Sequence, residues 1–364
     1  MVKRLLTGAF LGGIASMAFA QNGVTLYGII DIGIERASGG AGAQVRQTDN
    51  TLYGSRFGFI GREELGAGYQ AIFKLENGFL PNQGTAGQGG ALFGREAWVG
   101  LAGPQGQFQL GVNYTPIHTL LSTYALGGFG GFSWGNASNH FLYAPLARES
   151  NSIVYVSPVV AGFSLKAMYA LGTNGGANAA PKTLGNTGSV KLTYEIGNFS
   201  IGATYLNQRF ATQSTNVPLT TNTPTFSGDY YVFGTSYDLG FVKLGGIWQM
   251  HRGGPNVASA VSTNFSNPKN NFFEASARIP IGFGFGLVDY GRYYRLGDSD
   301  GDATSYSLRY DYPLSKRTIV YAGAAYIRNG KRAGFAPVGV GSPAPTVVVG
   351  HNVNSVLTGL VHRF

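Results

Sequence analysis

The chain has 364 residues, 57 of them glycine, with 24 phenylalanines, 21 tyrosines, no cysteine and only 12% charged residues, and its formal net charge is +9. Soluble domains average about 25% charge and roughly 7% glycine. The chain is too apolar for a disordered protein, and no uninterrupted apolar run is long enough for a membrane helix. The balance suits a sheet with one face against lipid and the other against water.

In chain order, the first element is an export signal. Lys3 and Arg4 open it, an apolar stretch runs over 5–19, and Ala18-Phe19-Ala20 offers a small-residue cleavage site before Gln21. Cleavage there is expected to leave a single domain over 21–364 and to remove two of the 26 basic residues. Without cysteine, that exported domain must be held by hydrogen bonds and packing rather than disulfides.

From Gly23 onward, segments of alternating polarity are joined by short and long connections in turn. Seven short turns are expected at 64–68, 103–106, 157–162, 197–198, 238–240, 280–282 and 313–315, where glycine, proline, asparagine and serine collect. Eight longer loops fall near 37–50, 80–92, 114–148, 172–186, 209–228, 252–270, 296–302 and 329–350. Fifteen connections join sixteen strands, and an even number with short turns on one side and long loops on the other defines an outer-membrane barrel.

Individual strands carry the matching parity. Tyr306, Leu308, Tyr310 and Tyr312 share one face, and Ser307, Arg309 and Asp311 share the other. Gln107 to Asn113, Ser189 to Ile196 and Gln70 to Glu76 alternate likewise. A period of two marks a half-buried strand rather than an amphipathic helix. A soluble β-sandwich also alternates, but here the polar faces carry charges and the apolar faces end in aromatics, as a lipid-facing barrel requires. Only closure lets a sheet satisfy its backbone in lipid. The predicted fold is an all-β, 16-stranded antiparallel transmembrane barrel.

Several stretches resemble a known family: Val24-Thr25-Leu26-Tyr27-Gly28, Ser55 to Gly61 with Glu63-Glu64-Leu65-Gly66, Phe93-Gly94-Arg95 with Trp98-Val99-Gly100-Leu101, and Gly359 to Phe364. Together, and in this order, they resemble the trimeric general porins of Gram-negative bacteria. The resemblance implies a homotrimer in the outer membrane, in contact with lipid and lipopolysaccharide, with one pore per subunit for small hydrophilic solutes. It also implies a third loop folded into the barrel as a constriction. That loop, Tyr114 to about Ala147, departs from the family pattern, since 115–147 contains no Asp or Glu and is rich in glycine and aromatics.

Parity places Arg56 and Arg62 on the face opposite Phe57 and Phe59, pointing inward. By similarity Arg56, Arg95 and Arg148 match the arginines that line the family's constriction, and Lys74 on the polar face of its strand joins them. The alternative is that these residues are hydrated or paired, Arg95 with Glu96 and Arg148 with Glu149. Facing a loop without carboxylates, they would leave the narrowest point positive and favour anions, because fields focus in a confined channel. The alternative function is a substrate-specific channel for phosphate, organic anions or sugars, with Tyr124, Phe129, Phe132 and Trp134 available for stacking.

Other signals are weaker. Gly131-Phe132-Ser133-Trp134-Gly135 fits G-x-S-x-G, but the serine elbow needs an α/β sheet, so no enzyme is predicted. Asp298, Asp300 and Asp302 lack calcium-loop spacing, and the five histidines show no paired metal spacing. His118 and His140, both in the third loop, leave a pH effect on the pore open. No basic cluster suits nucleic acid. No cofactor or metal is expected. Finally, Val356, Thr358, Leu360, His362 and Phe364 share one parity. Phe364 resembles the terminal signal by which family members reach the outer-membrane assembly machinery, although His362 occupies a position where that pattern prefers an apolar residue.

Overall fold

The computed structural model describes residues 23–127, 133–141, 147–172, 184–211, 225–253, 269–339 and 344–364. Sixteen antiparallel staves form one closed sheet. They are β1 (Gly23–Ser38), β2 in two pieces (Ala43–Asp49 and Arg56–Gly66), β3 (Tyr69–Leu80), β4 (Glu96–Gly103), β5 (Gly106–Tyr114) and β6 (Arg148–Val156). Next come β7 (Phe163–Ala170), β8 (Thr187–Ile196), β9 (Phe199–Ala211), β10 (Thr225–Asp238) and β11 (Lys243–Gly253). The last are β12 (Lys269–Ile281), β13 (Gly284–Arg295), β14 (Ala303–Pro313), β15 (Thr318–Asn329) and β16 (Val353–Arg363). No helix among the described residues is long and apolar enough to cross a membrane.

Side-chain parity explains why these segments are strands. On β10, Tyr231, Phe233 and Tyr237 point outward and are exposed, while Tyr230, Val232 and Ser236 point inward and are buried. Outward aromatics pair across strands, Tyr205 with Tyr231 at 5.1 Å and Tyr290 with Tyr306 at 5.3 Å further along the wall. Phe163 with Tyr194 at 4.4 Å and Phe108 with Tyr155 at 4.9 Å do so near the tight turns. The pairs beside the turns match the aromatic girdle of a lipid-facing barrel. The expected short turns occur; in the two-residue connection at 197–198, Gly197 takes φ +55, a left-handed conformation natural to hairpins.

The barrel closes between β1 and β16, with Ile29 opposite Arg363 and Ser38 opposite Asn354. Phe364 and Gly28 exchange backbone hydrogen bonds of 3.0 Å in both directions. The closure therefore runs over 28–38, because residues 23–27 pair only with β2.

The first loop also differs from the sequence expectation. Residues 43–49 are not loop but strand, paired with Ile32–Ser38, and the irregular stretch lies at 50–55. Its cause is Asp31, whose carboxylate accepts the amides of Leu52 and Tyr53, the latter at 2.7 Å, and the Tyr321 hydroxyl at 2.8 Å. Asn50 turns the chain with φ +54, which asparagine tolerates better than most residues, and its Oδ1 accepts the Ser55 amide at 2.6 Å. The second stave is thus broken, and 50–55 bows into the lumen.

An apolar core fills part of that lumen. The third loop contributes α1 (Pro116–Tyr124) and α2 (Ala137–His140), and the eighth contributes Ala333 and Phe335. Phe335 lies 5.0 Å from Phe141 and 4.9 Å from Tyr293, ring to ring.

Candidate pore constriction

α1 is the first component. Thr115 caps it by accepting the His118 amide at 3.3 Å, and Pro116 fills the first turn, where no amide partner is needed. Ile117, Leu120, Leu121 and Tyr124 recur at helical spacing and are buried against the wall, while His118, Thr119 and Ser122 face the channel. The long third loop is therefore partly helical, and Thr-Pro followed by an i, i+3, i+4, i+7 apolar series is the signal that the strand-centred reading passed over.

The wall receives this helix on glycines. A methyl group built on Gly234 would overlap the Tyr124 ring, and one on Gly245 would approach the Tyr124 carbonyl oxygen to 2.6 Å. Gly291 makes room in the same way for Ala137, and Gly323 for Trp134. The Tyr124 hydroxyl then reaches Ser200 Oγ at 2.9 Å.

The loop tip is fastened by polar groups. Glu274 and Asp289 accept from the second and first amides of α2, Ser138 N at 2.6 Å and Ala137 N at 2.9 Å, and both accept from Asn136 Nδ2. Arg309 grips Asp311 through Nε at 2.8 Å and Nη2 at 3.0 Å, and its Nη1 donates to Ser133 Oγ at 2.7 Å and to the Trp134 carbonyl. Trp134 N donates to Thr51 O at 3.0 Å, tying the tip to the inward bow.

Four cations face α1: Arg56, Lys74, Arg95 and Arg148 line one cavity of about 260 Å³ with Leu52, Tyr53 and Gly54 of the bow and His118, Thr119 and Ser122 of the helix. All four residues singled out from sequence thus meet. Their partners differ from those considered. Arg95 pairs not with Glu96 but with Glu76, Nε to Oε1 2.6 Å, and Arg56 Nε lies 3.4 Å from the other Glu76 oxygen. Lys74 pairs with Glu96 and lies 3.6 Å from Glu76. Arg148 is bound not to Glu149 but to the Tyr114 hydroxyl at 2.7 Å, with its guanidinium 4.4 Å above that ring. Arg95 Nη2 donates to the same hydroxyl at 2.6 Å.

Sequence reasoning missed Glu76, Tyr27 and Tyr114, and gave Glu96 to Arg95 where it pairs with Lys74. The Tyr27 hydroxyl donates to Glu76 Oε2 at 2.6 Å. Loop carboxylates are lacking as expected, but the wall supplies two, so the lining carries four cations against two carboxylates. Its formal surplus is positive. On the tight-turn side the channel opens into a wider space of about 680 Å³ beside Ile60, Arg62, Ile72 and Trp98.

The remaining candidates are structural. Of the four aromatics considered for stacking, Tyr124 and Trp134 are buried against the wall, and Phe129 and Phe132 lie outside the described residues. His140 accepts the Gly135 amide on Nε2 at 3.1 Å and meets Ser305 Oγ at 2.8 Å through Nδ1. Burial, then Arg309, brings it down to about 3. Burial, then Arg148, Arg95 and Lys166, holds His118 well below the ordinary imidazole value. Asp298 is paired with Arg332 and Arg295, and Asp302 accepts the Arg295 amide, so these loop carboxylates serve arginines. His362 points outward and contacts Thr318 Oγ1 at 3.0 Å.

A closed barrel with lipid-facing aromatics and a polar lumen narrowed by its own loop defines a transmembrane pore. The profile of the Gram-negative porin family matches residues 7–332, and the chain belongs to that family. It is an outer-membrane porin. An outer membrane porin protein of Bordetella pertussis is 29% identical over 90% of this chain and 95% of its own. Outer membrane porin protein 32 of Delftia acidovorans is 28% identical over the full length of both. Among solved structures, the anion-selective porin from Comamonas acidovorans superposes with TM-score 0.77 at 24% identity, over 94% of this chain and all of that one. OmpT of Vibrio cholerae, in its trimer form, gives 0.66 at 14% identity, over 94% and 99%.

Proposed function

We propose that this porin passes small hydrophilic solutes by passive diffusion and prefers anions. The observation that carries the proposal is the cationic surplus of the lining, four cations to two carboxylates, held between low-dielectric walls. Arg56, Arg95, Arg148 and Lys74 act as the selectivity-setting groups. The selectivity printed in the name of the Comamonas acidovorans porin supports the same reading.

The test is the reversal potential of the purified protein in a KCl gradient, for the native chain and for an Arg56→Gln/Arg95→Gln/Arg148→Gln variant. The native pore should show anion sign. The variant retains Lys74 against two carboxylates and should move to cation sign; an unchanged potential would remove these arginines from the filter.

Further parts of the reading rest on resemblance. The trimer form of the Vibrio cholerae relative supports a homotrimer. Residues 1–20 serve as a cleaved export signal, with 21–364 as the barrel domain. Phe364 acts as the recognition residue for the outer-membrane assembly machinery, and the outward aromatics meet outer-membrane lipid and lipopolysaccharide. The pore has no enzymatic role: Ser133 Oγ is committed to the Gly127 carbonyl and to Arg309. Tyr124 and Trp134, buried against the wall, offer a sugar no stacking face.

A further inference from the structure

Below the constriction, on the tight-turn side, Lys191 of β8 stands directly opposite Lys166 of β7. Both lie on the lumen parity, with Ser164 and Thr193 as the adjacent opposed pair. Like charges directly opposite each other on a sheet are destabilising. Among the described residues neither ammonium has a carboxylate within 4 Å; the charges felt at Lys166 are Lys191, Glu96 and Lys74, and at Lys191, Glu195.

Lys166 Nζ donates to the carbonyl oxygen of Tyr114 at 2.8 Å, and the hydroxyl of that tyrosine holds Arg95 and Arg148. The lysine pair is therefore built onto the constriction itself. Among the described residues one of the three Lys166 protons is used, and the rest, with those of Lys191, face the lumen. The hydroxyls of Ser164 and Thr193, 2.6 Å apart, add polar groups at the rim.

We propose that Lys166 and Lys191 form a binding station for a doubly charged oxyanion leaving or entering the constriction. The proposal rests on the anion-preferring reading and names the ligand class within it. A dianion between two opposed ammonium groups neutralises both and relieves their repulsion, whereas a monoanion neutralises one.

The experiment adds sulfate to the KCl bath of a single reconstituted channel and reads the loss of chloride current. Methanesulfonate, a singly charged analogue of similar shape, is the control. The native pore should be blocked saturably by sulfate and far less by methanesulfonate. Lys166→Gln/Lys191→Gln should raise the half-blocking sulfate concentration by about tenfold or more, the worth of a charge-assisted hydrogen bond. Should that variant fail to assemble, Lys191→Gln alone, which leaves the bond to Tyr114 intact, should give the same direction. Equal block by the two anions, or an unchanged half-blocking concentration in either variant, overturns the station. Lys191→Gln leaves the Lys166–Tyr114 bond and all four filter cations in place, so its reversal potential in KCl should keep its anion sign. A native potential of cation sign would overturn the anion reading instead.

Discussion

Arg95 donates through Nε to Glu76 Oε1 at 2.6 Å, and the other Glu76 oxygen faces Tyr27, Arg56 and Lys74. One wall carboxylate thus organises three of the four cations of the constriction.

Glu76→Gln should therefore increase the anion preference while loosening the wall. The formal surplus rises by one, and the reversal potential in a KCl gradient should move further in the anion direction. Removing one partner of a buried ion cluster costs on the order of 3 kcal/mol. A lowered thermal midpoint of the folded barrel should accompany the shift.

The glycine seat gives a test that leaves charge alone. Gly234→Ala puts a methyl into the Tyr124 ring, and overpacking of this kind costs about 1–3 kcal/mol. α1 should lift from the wall, changing single-channel conductance without changing the sign of selectivity. Gly188→Ala, at an outward position with no atom within 4 Å, should leave conductance as it is.

Phe335→Ala addresses the eighth loop. The ring is fully buried between Phe141 and Tyr293, and emptying such a site costs about 3–5 kcal/mol locally. Faster liposome swelling with larger sugars would report a freed outer mouth, and an unchanged size cut-off would show that the eighth loop does not limit entry.

The third-loop histidines fix the expected pH response. Both are shifted down, so each is neutral in the folded pore at pH values where an unfolded histidine, near about 6.5, begins to take up protons. Neither imidazole should accordingly add charge to the channel as pH falls from 8, so His118→Gln should leave the pH profile of the reversal potential unchanged. The stability they contribute is present above about 6.5 and declines as pH falls toward about 3, where His140 titrates. Hydrogen-exchange protection factors at Ala137–His140 should fall across that window.

Much of the barrel was legible because a strand in lipid writes its burial directly into alternate residues, as Tyr306 to Tyr312 do. The constriction arginines were legible by parity and resemblance. Their partners were not: Glu76 and Arg95 are nineteen residues apart, and only the β3–β4 register makes Glu76 face Glu96 across the ladder. The inward bow was hidden because its cause, Asp31, looks like any wall carboxylate, and the buried Phe335 looks like any loop aromatic. The seat for α1 did leave a trace, glycine at the lumen positions Gly202, Gly234 and Gly245, which composition alone reads as mere abundance.

The third loop leaves β5 and is anchored on β9 at Ser200, on β12 and β13 at Glu274 and Asp289, and on β14 at Arg309. Mechanically it is a strut across the cylinder. A hollow tube under lateral membrane pressure fails by flattening, and a brace bonded to the far wall resists that mode whatever solute occupies the bore. The segment that narrows the passage also keeps it round.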